Sequence, residues 1–116
     1  MDWKQLYQEN LRPVSAAVKL VGSGDRVYIG TASSIAFKLA EALYERRAEL
    51  EDVLICHGLT PRILPFFLPE SRGHFSTLSY FAGPGEHTGI KNGQTRFTSL
   101  HLSQIRLWCR EIARPN

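Results

Sequence analysis

The stretch from Asp25 to Cys56 constrains the fold more than any other part of this chain. It sets a short β-branched and aromatic run, Arg26 to Gly30, before an amphipathic stretch and then a continuous apolar run, Asp52 to Cys56. Thr31-Ala-Ser-Ser34 offers several capping side chains, so a helix is expected from there to Leu50. Ile35, Leu39 and Leu43 lie on one face, with Lys38, Glu41, Glu45 and Glu49 opposite as a solvated row. Strand, helix and strand within about 30 residues predict a right-handed parallel crossover, and with it an α/β fold.

The flanking segments extend this unit. Trp3, Leu6, Tyr7 and Leu11 have helical spacing behind Asp2, and Gln5 completes a capping-box pattern. Pro13 suits the first turn of a second short helix, which aligns Val14, Ala17, Val18 and Val21 and stops at Gly22. Downstream, Ile63 to Pro69 is broken by prolines and predicts a packed loop. Thr77 to Phe81 and Phe97 to Leu102 predict a third and a fourth strand, and Gly89 between them argues against a helix. Ser103 can cap a last helix bearing Ile105, Trp108, Cys109 and Ile112.

Composition excludes several classes. With 116 residues, 43% hydrophobic and 22% charged, the chain suffices for one core and one domain. Its formal charge of +3 spreads 14 basic and 11 acidic residues along the length, which is no nucleic-acid signature. Cys56 and Cys109 lack zinc or redox spacing and predict buried thiols. There is no signal-peptide pattern and no apolar run near the roughly 20 residues of a membrane helix, so a cytoplasmic address without membrane contact is expected.

Chemistry is sparse. The Gly30-Thr-Ala-Ser-Ser34 turn joins a strand end to a helix start, where free N–H groups can hold a phosphate or carboxylate. Gly30, Thr31, Ser33 and Ser34 are therefore the candidate cofactor-binding residues, with ordinary capping as the competing reading. Adjacent Cys56 and His57 point to opposite faces of a strand and cannot pair as nucleophile and base. His74, His87 and His101 lack metal-ligand spacing, so no metal is expected. Most glutamates fall on exposed helix faces. Glu86, in the Gly83 to Gly89 loop, is the one whose setting could be a site, against a solvated turn residue as the stronger reading. Arg106, Arg110 and Arg114 recur at four-residue spacing and could grip phosphates, though such rows more often line the polar side of a packed helix.

Four stretches in order resemble the N-terminal region of the acetyl-CoA hydrolase/transferase family, which includes the 4-hydroxybutyrate CoA-transferases. They are Ser23 to Gly30 with the helix to Leu43, Gly73-His-Phe75, Phe81-Ala-Gly-Pro84, and Phe97 to Ile105. The resemblance implies a partial three-layer domain of the NagB/RpiA/CoA-transferase type with a mainly parallel sheet. It also implies residues 1–116 as a single incomplete N-terminal domain, and a coenzyme A thioester and a carboxylate such as acetate as family substrates, with no tightly bound cofactor.

Family members act through a glutamate that attacks the thioester, and that glutamate lies in their C-terminal half. No catalytic residue is therefore expected here. A homodimer or a companion C-terminal subunit is the expected partner, and a non-catalytic interaction module is the alternative. The family's Glu-Pro in the first strand-helix turn is Ile35-Ala36 here, its polar triplet after Gly-His-Phe is Ser76-Thr77-Leu78, and its acidic residue and proline after Leu-Ser are Gln104 and Arg106.

Overall fold

A computed structural model describes residues 1–113. Its strands are β1 (Arg26–Tyr28), β2 (Val53–His57), β3 (Phe75–Ser79) and β4 (Thr95–Phe97), and its helices are α1 (Trp3–Asn10), α2 (Val14–Ala17), α3 (Phe37–Glu45), α4 (Pro84–Lys91) and α5 (Ile105–Ala113). The strands form one parallel sheet in the order β1-β2-β3-β4, with Val27 opposite Ile55, Ile55 opposite Thr77 and Thr77 opposite Thr95. This is a small α/β domain with helices flanking a parallel sheet. The third strand begins two residues earlier than the sequence pattern suggests, and β4 ends at Phe97, where the fourth was expected to begin, so the strand expected to Leu102 shares only that residue with it.

One face of the sheet carries the core. Val53, Ile55 and Phe75 pack there with Leu43, Phe66 and Phe67, the last two entirely buried. The proline-broken segment expected as packed loop supplies both rings from a 3₁₀ turn, Pro65–Phe67, and Pro69–Ser71 forms another. Phe66 lies 4.9 Å from Phe75 and 5.9 Å from Tyr44, ring centre to ring centre. Arg46 ties the N-terminal segment to this layer by donating to the carbonyls of Val18 and Val21.

Two helices differ from expectation. Thr31 to Ser34 does not begin α3: Ala32–Ser34 is a 3₁₀ turn, and Ile35 and Ala36 are non-helical before Phe37. Turning Ile35 inward, where it is 6% exposed, interrupts the helix and leaves Leu39 40% exposed. Helix α4 occupies the segment where Gly89 argued against one. Pro84 starts it, and a Cβ at Gly89 would fall on the Thr95 side chain, so close packing against β4 requires glycine and outweighs its helix propensity.

The last helix is preceded by a 3₁₀ turn, and Gln104 Oε1 accepts from His101 N–H at 2.8 Å in place of a Ser103 cap. Arg114, third in the arginine row, lies outside the described residues.

Candidate functional site

Parallel strands deliver all their C-terminal ends to one edge, the place where open α/β sheets bind ligands. Three loops meet there, after β1, β2 and β3. Gly58 is the point of closest approach, since a Cβ on it would stand 2.7 Å from both Thr31 Oγ1 and Tyr80 Oη. The Thr31 hydroxyl donates to Leu59 O at 3.2 Å, and Ala32 N–H donates to the same carbonyl at 2.7 Å. Ala32 has φ of 49°, a left-handed conformation that costs a non-glycine residue about 1–2 kcal/mol. Tyr28 and Tyr80 share a hydroxyl hydrogen bond of 2.9 Å, and burial together with that bond raises the Tyr28 pKa.

The polar centre of this edge is Glu86. Its carboxylate is wholly buried: Oε1 accepts from Thr60 N–H at 2.8 Å and from the Thr60 hydroxyl at 2.7 Å, while Oε2 accepts from Gly83 N–H at 3.0 Å. The reading of Glu86 as a solvated turn residue is thus overturned. As the third residue of α4 it reaches back to the residue preceding the helix, and the same carboxylate clasps the loop after β2. The anion position at this helix start is filled by the chain's own side chain. Pro84 at the first helical position with Glu86 two residues on was the sequence signal for it.

His57 completes the cluster from the end of β2. Its Nδ1 lies 2.7 Å from Gly58 O, which fixes the ring hydrogen on Nδ1, and 3.7 Å from Glu86 Oε1. Nε2 is buried with no hydrogen-bond partner. Burial lowers the His57 pKa more than Gly58 O and Glu86 raise it, so the ring is neutral near pH 7 and the close approach to Glu86 is not an ion pair. A neutral imidazole and a three-times-bonded carboxylate, both sealed from solvent, hold two loops together and have no access to a substrate.

Cys56 faces the other way, as strand alternation requires. Burial and then Cys109 raise its thiol to about 11 against the opposing pull of Arg26 and Arg96. His74 bonds Leu50 O at 2.8 Å, and among the described residues no three His, Cys, Asp or Glu side chains gather as a metal site. No helix among those residues is long and apolar enough to cross a membrane.

The four residues singled out after β1 lie together at the same edge. Ser34 Oγ accepts from Thr31 N–H at 3.0 Å and donates to Thr31 O at 2.7 Å, and Ser34 N–H donates to Thr31 O at 3.0 Å. Ser33 and Ser34 are exposed, and Gly30 and Thr31 are half-buried.

No family model matches the sequence. Butyryl-CoA:acetate CoA-transferase of Anaerostipes caccae is 31% identical over 106 residues, which cover 90% of this chain and 24% of that protein. In fold, the crystal structure of RipA from Yersinia pestis superposes with a TM-score of 0.83 at 24% identity, covering 97% of this chain and 29% of RipA, and a substituted RipA gives 0.82. The chain thus has a distant, partial match to a CoA-transferase. It spans about a quarter of that relative's length, and its likeness to RipA is one of fold.

Proposed function

We propose that this chain is the N-terminal portion of a CoA-transferase or acetyl-CoA hydrolase of the acetyl-CoA hydrolase/transferase family, acting in the cytoplasm on a coenzyme A thioester and a carboxylate such as acetate, and inactive by itself. The observation that carries this reading is the 31% identity to a butyryl-CoA:acetate CoA-transferase across 90% of the chain. The site agrees with it. The glutamate best placed at the strand ends, Glu86, is a buried clamp unable to attack a thioester, so this portion supplies scaffold, and the nucleophile comes from elsewhere. Gly30, Thr31, Ser33 and Ser34, the first two half-buried and the serines exposed, form the rim that the thioester meets, on a turn whose Ala32 holds a left-handed conformation.

Purified chain incubated with butyryl-CoA and acetate should form no acetyl-CoA above the protein-free rate. Turnover that follows protein concentration would overturn the inactive-portion reading.

A second reading, a non-catalytic interaction module, is favoured by α1. Its Trp3, Tyr7 and Leu6 are 69%, 57% and 45% exposed at helical spacing. A chain that stays monomeric in sedimentation at high concentration and captures no partner would remove it.

A further inference from the structure

The chain has two cysteines, Cys56 and Cys109, both free and far apart in sequence, and the fold sets them around one space. In β1 and β2, Tyr28 stands opposite Cys56 and Arg26 opposite Leu54, so these four residues share one face of the sheet. Helix α5 packs over β1, with Trp108 edge-on to Tyr80 at 5.4 Å. Cys109 and Ile112 follow one another on the same side of this helix. A single cavity of about 230 Å³ is lined by both cysteines together with Arg26, Tyr28 and Ile112.

Two thiols around a void are not ordinary packing. A close-packed interior leaves few gaps larger than a water molecule, whereas this one has room for several at about 30 Å³ each. It is partly open to solvent, and Cys109 is half-buried while Cys56 is 2% exposed. A small oxidant therefore meets Cys109 first. Cys56 is held protonated meanwhile, because burial and then Cys109 push its thiol up to about 11. A structural zinc ion is poorly served, since it takes four ligands and among the described residues no three His, Cys, Asp or Glu side chains gather. What two such thiols can do by themselves is join.

We propose that Cys56 and Cys109 are an oxidation site, which peroxide closes into an intramolecular disulfide that locks α5 onto the sheet. The Cys109 thiolate attacks one peroxide oxygen and the O–O bond breaks. The proton Cys109 gave up goes to the leaving hydroxide, which departs as water and leaves a sulfenic acid. The Cys56 sulfur then attacks the sulfenic sulfur, the S–S bond forms, and the S–O bond breaks. The released hydroxide takes the Cys56 proton and departs as a second water. Two thiols and one peroxide thus give one disulfide and two waters, the sulfurs being oxidised and the peroxide oxygens reduced. In a reducing compartment the pair stays as thiols until such a challenge. None of this depends on the function proposed above.

The test treats the purified, reduced chain with one equivalent of hydrogen peroxide, alkylates it in denaturant, and reads intact mass and peptide maps. Free thiols should fall from two to none, with the loss of two hydrogens and a cross-linked peptide pair containing Cys56 and Cys109. Dithiothreitol should restore both thiols. The product should stay monomeric over about a tenfold rise in chain concentration, because the second sulfur is held in the same molecule. Cys109→Ser, at a half-buried position outside the core, should leave Cys56 fully alkylatable after the same treatment.

Survival of both thiols, dimers linked through Cys109, oxygen added to either sulfur without a cross-link, or a cross-link that forms in urea and not in native buffer would each overturn the proposal. Oxidation of Cys56 in the Cys109→Ser chain would do the same, since it would remove Cys109 from the first step.

Discussion

On one side of the sheet Val53, Ile55 and Phe75 meet Phe66, Phe67 and Leu43 with almost no exposed area, and Glu86 and Thr60, buried as well, are hydrogen-bonded to each other. On the other side, among the described residues, helix α5 lies over β1; Cys56 is buried there, and Leu54 and Leu78 keep partial contact with solvent. The same four strands therefore border a finished interior and an unfinished one. Stability resides chiefly on the first side.

The sharpest way to break this comparison is to truncate one residue on each face. Phe66→Ala removes a ring packed against Phe75 and Tyr44 in a fully buried position and should cost about 3–5 kcal/mol in urea denaturation. Against the roughly 5–15 kcal/mol of an ordinary domain, that threatens folding at ambient temperature. Leu78→Ala, half-buried on the second face, should cost about 1 kcal/mol or less. Equal costs would mean that both faces are core.

The buried clamp gives the next largest effect. Glu86→Ala strands Thr60 N–H, the Thr60 hydroxyl and Gly83 N–H without an acceptor, and unsatisfied buried donors cost about 1–3 kcal/mol apiece without adding fully. A net loss of about 2–4 kcal/mol is expected by thermal unfolding. Glu86→Gln keeps one acceptor oxygen and should lose less. If both variants unfold with the wild type, Glu86 does not join the β2 and β3 loops.

These residues also mark where sequence reasoning stops. The crossover from Asp25 to Cys56 was legible because β-branched runs and an apolar stripe announce it locally. Helix α4 was hidden because Gly89 is a poor helix former and is there to let Thr95 approach, a fact of tertiary packing. The burial of Glu86 was hidden for the same reason, because two of its three donors come from Thr60, 26 residues away. Ile35 shows the converse: good capping residues precede it, yet its inward turn breaks the expected helix. The turn at Gly30 to Ser34 was legible as a turn because its hydrogen bonds are local, whereas the partnership of His57 with Gly58 and Glu86 depends on how distant loops meet.

The smallest expected effect is a dependence on pH that belongs to the finished face alone. Burial holds the folded-state pKa of His57 below its ordinary value of 6.5, so the unfolded chain binds the proton more readily than the folded one. The stability this provides is complete above pH 6.5 and is lost as pH falls from 6.5 toward the folded pKa, at no more than about 1.4 kcal/mol per pH unit. Glu86, 3.7 Å from Nδ1, offsets part of this by attracting the charged ring, which makes the slope shallower than that limit. His57→Asn retains a donor for Gly58 O and does not titrate, so its urea midpoint should lack this contribution between pH 6.5 and 5. A variant that keeps the wild-type acid slope would transfer the effect to another group and leave His57 a packing residue only.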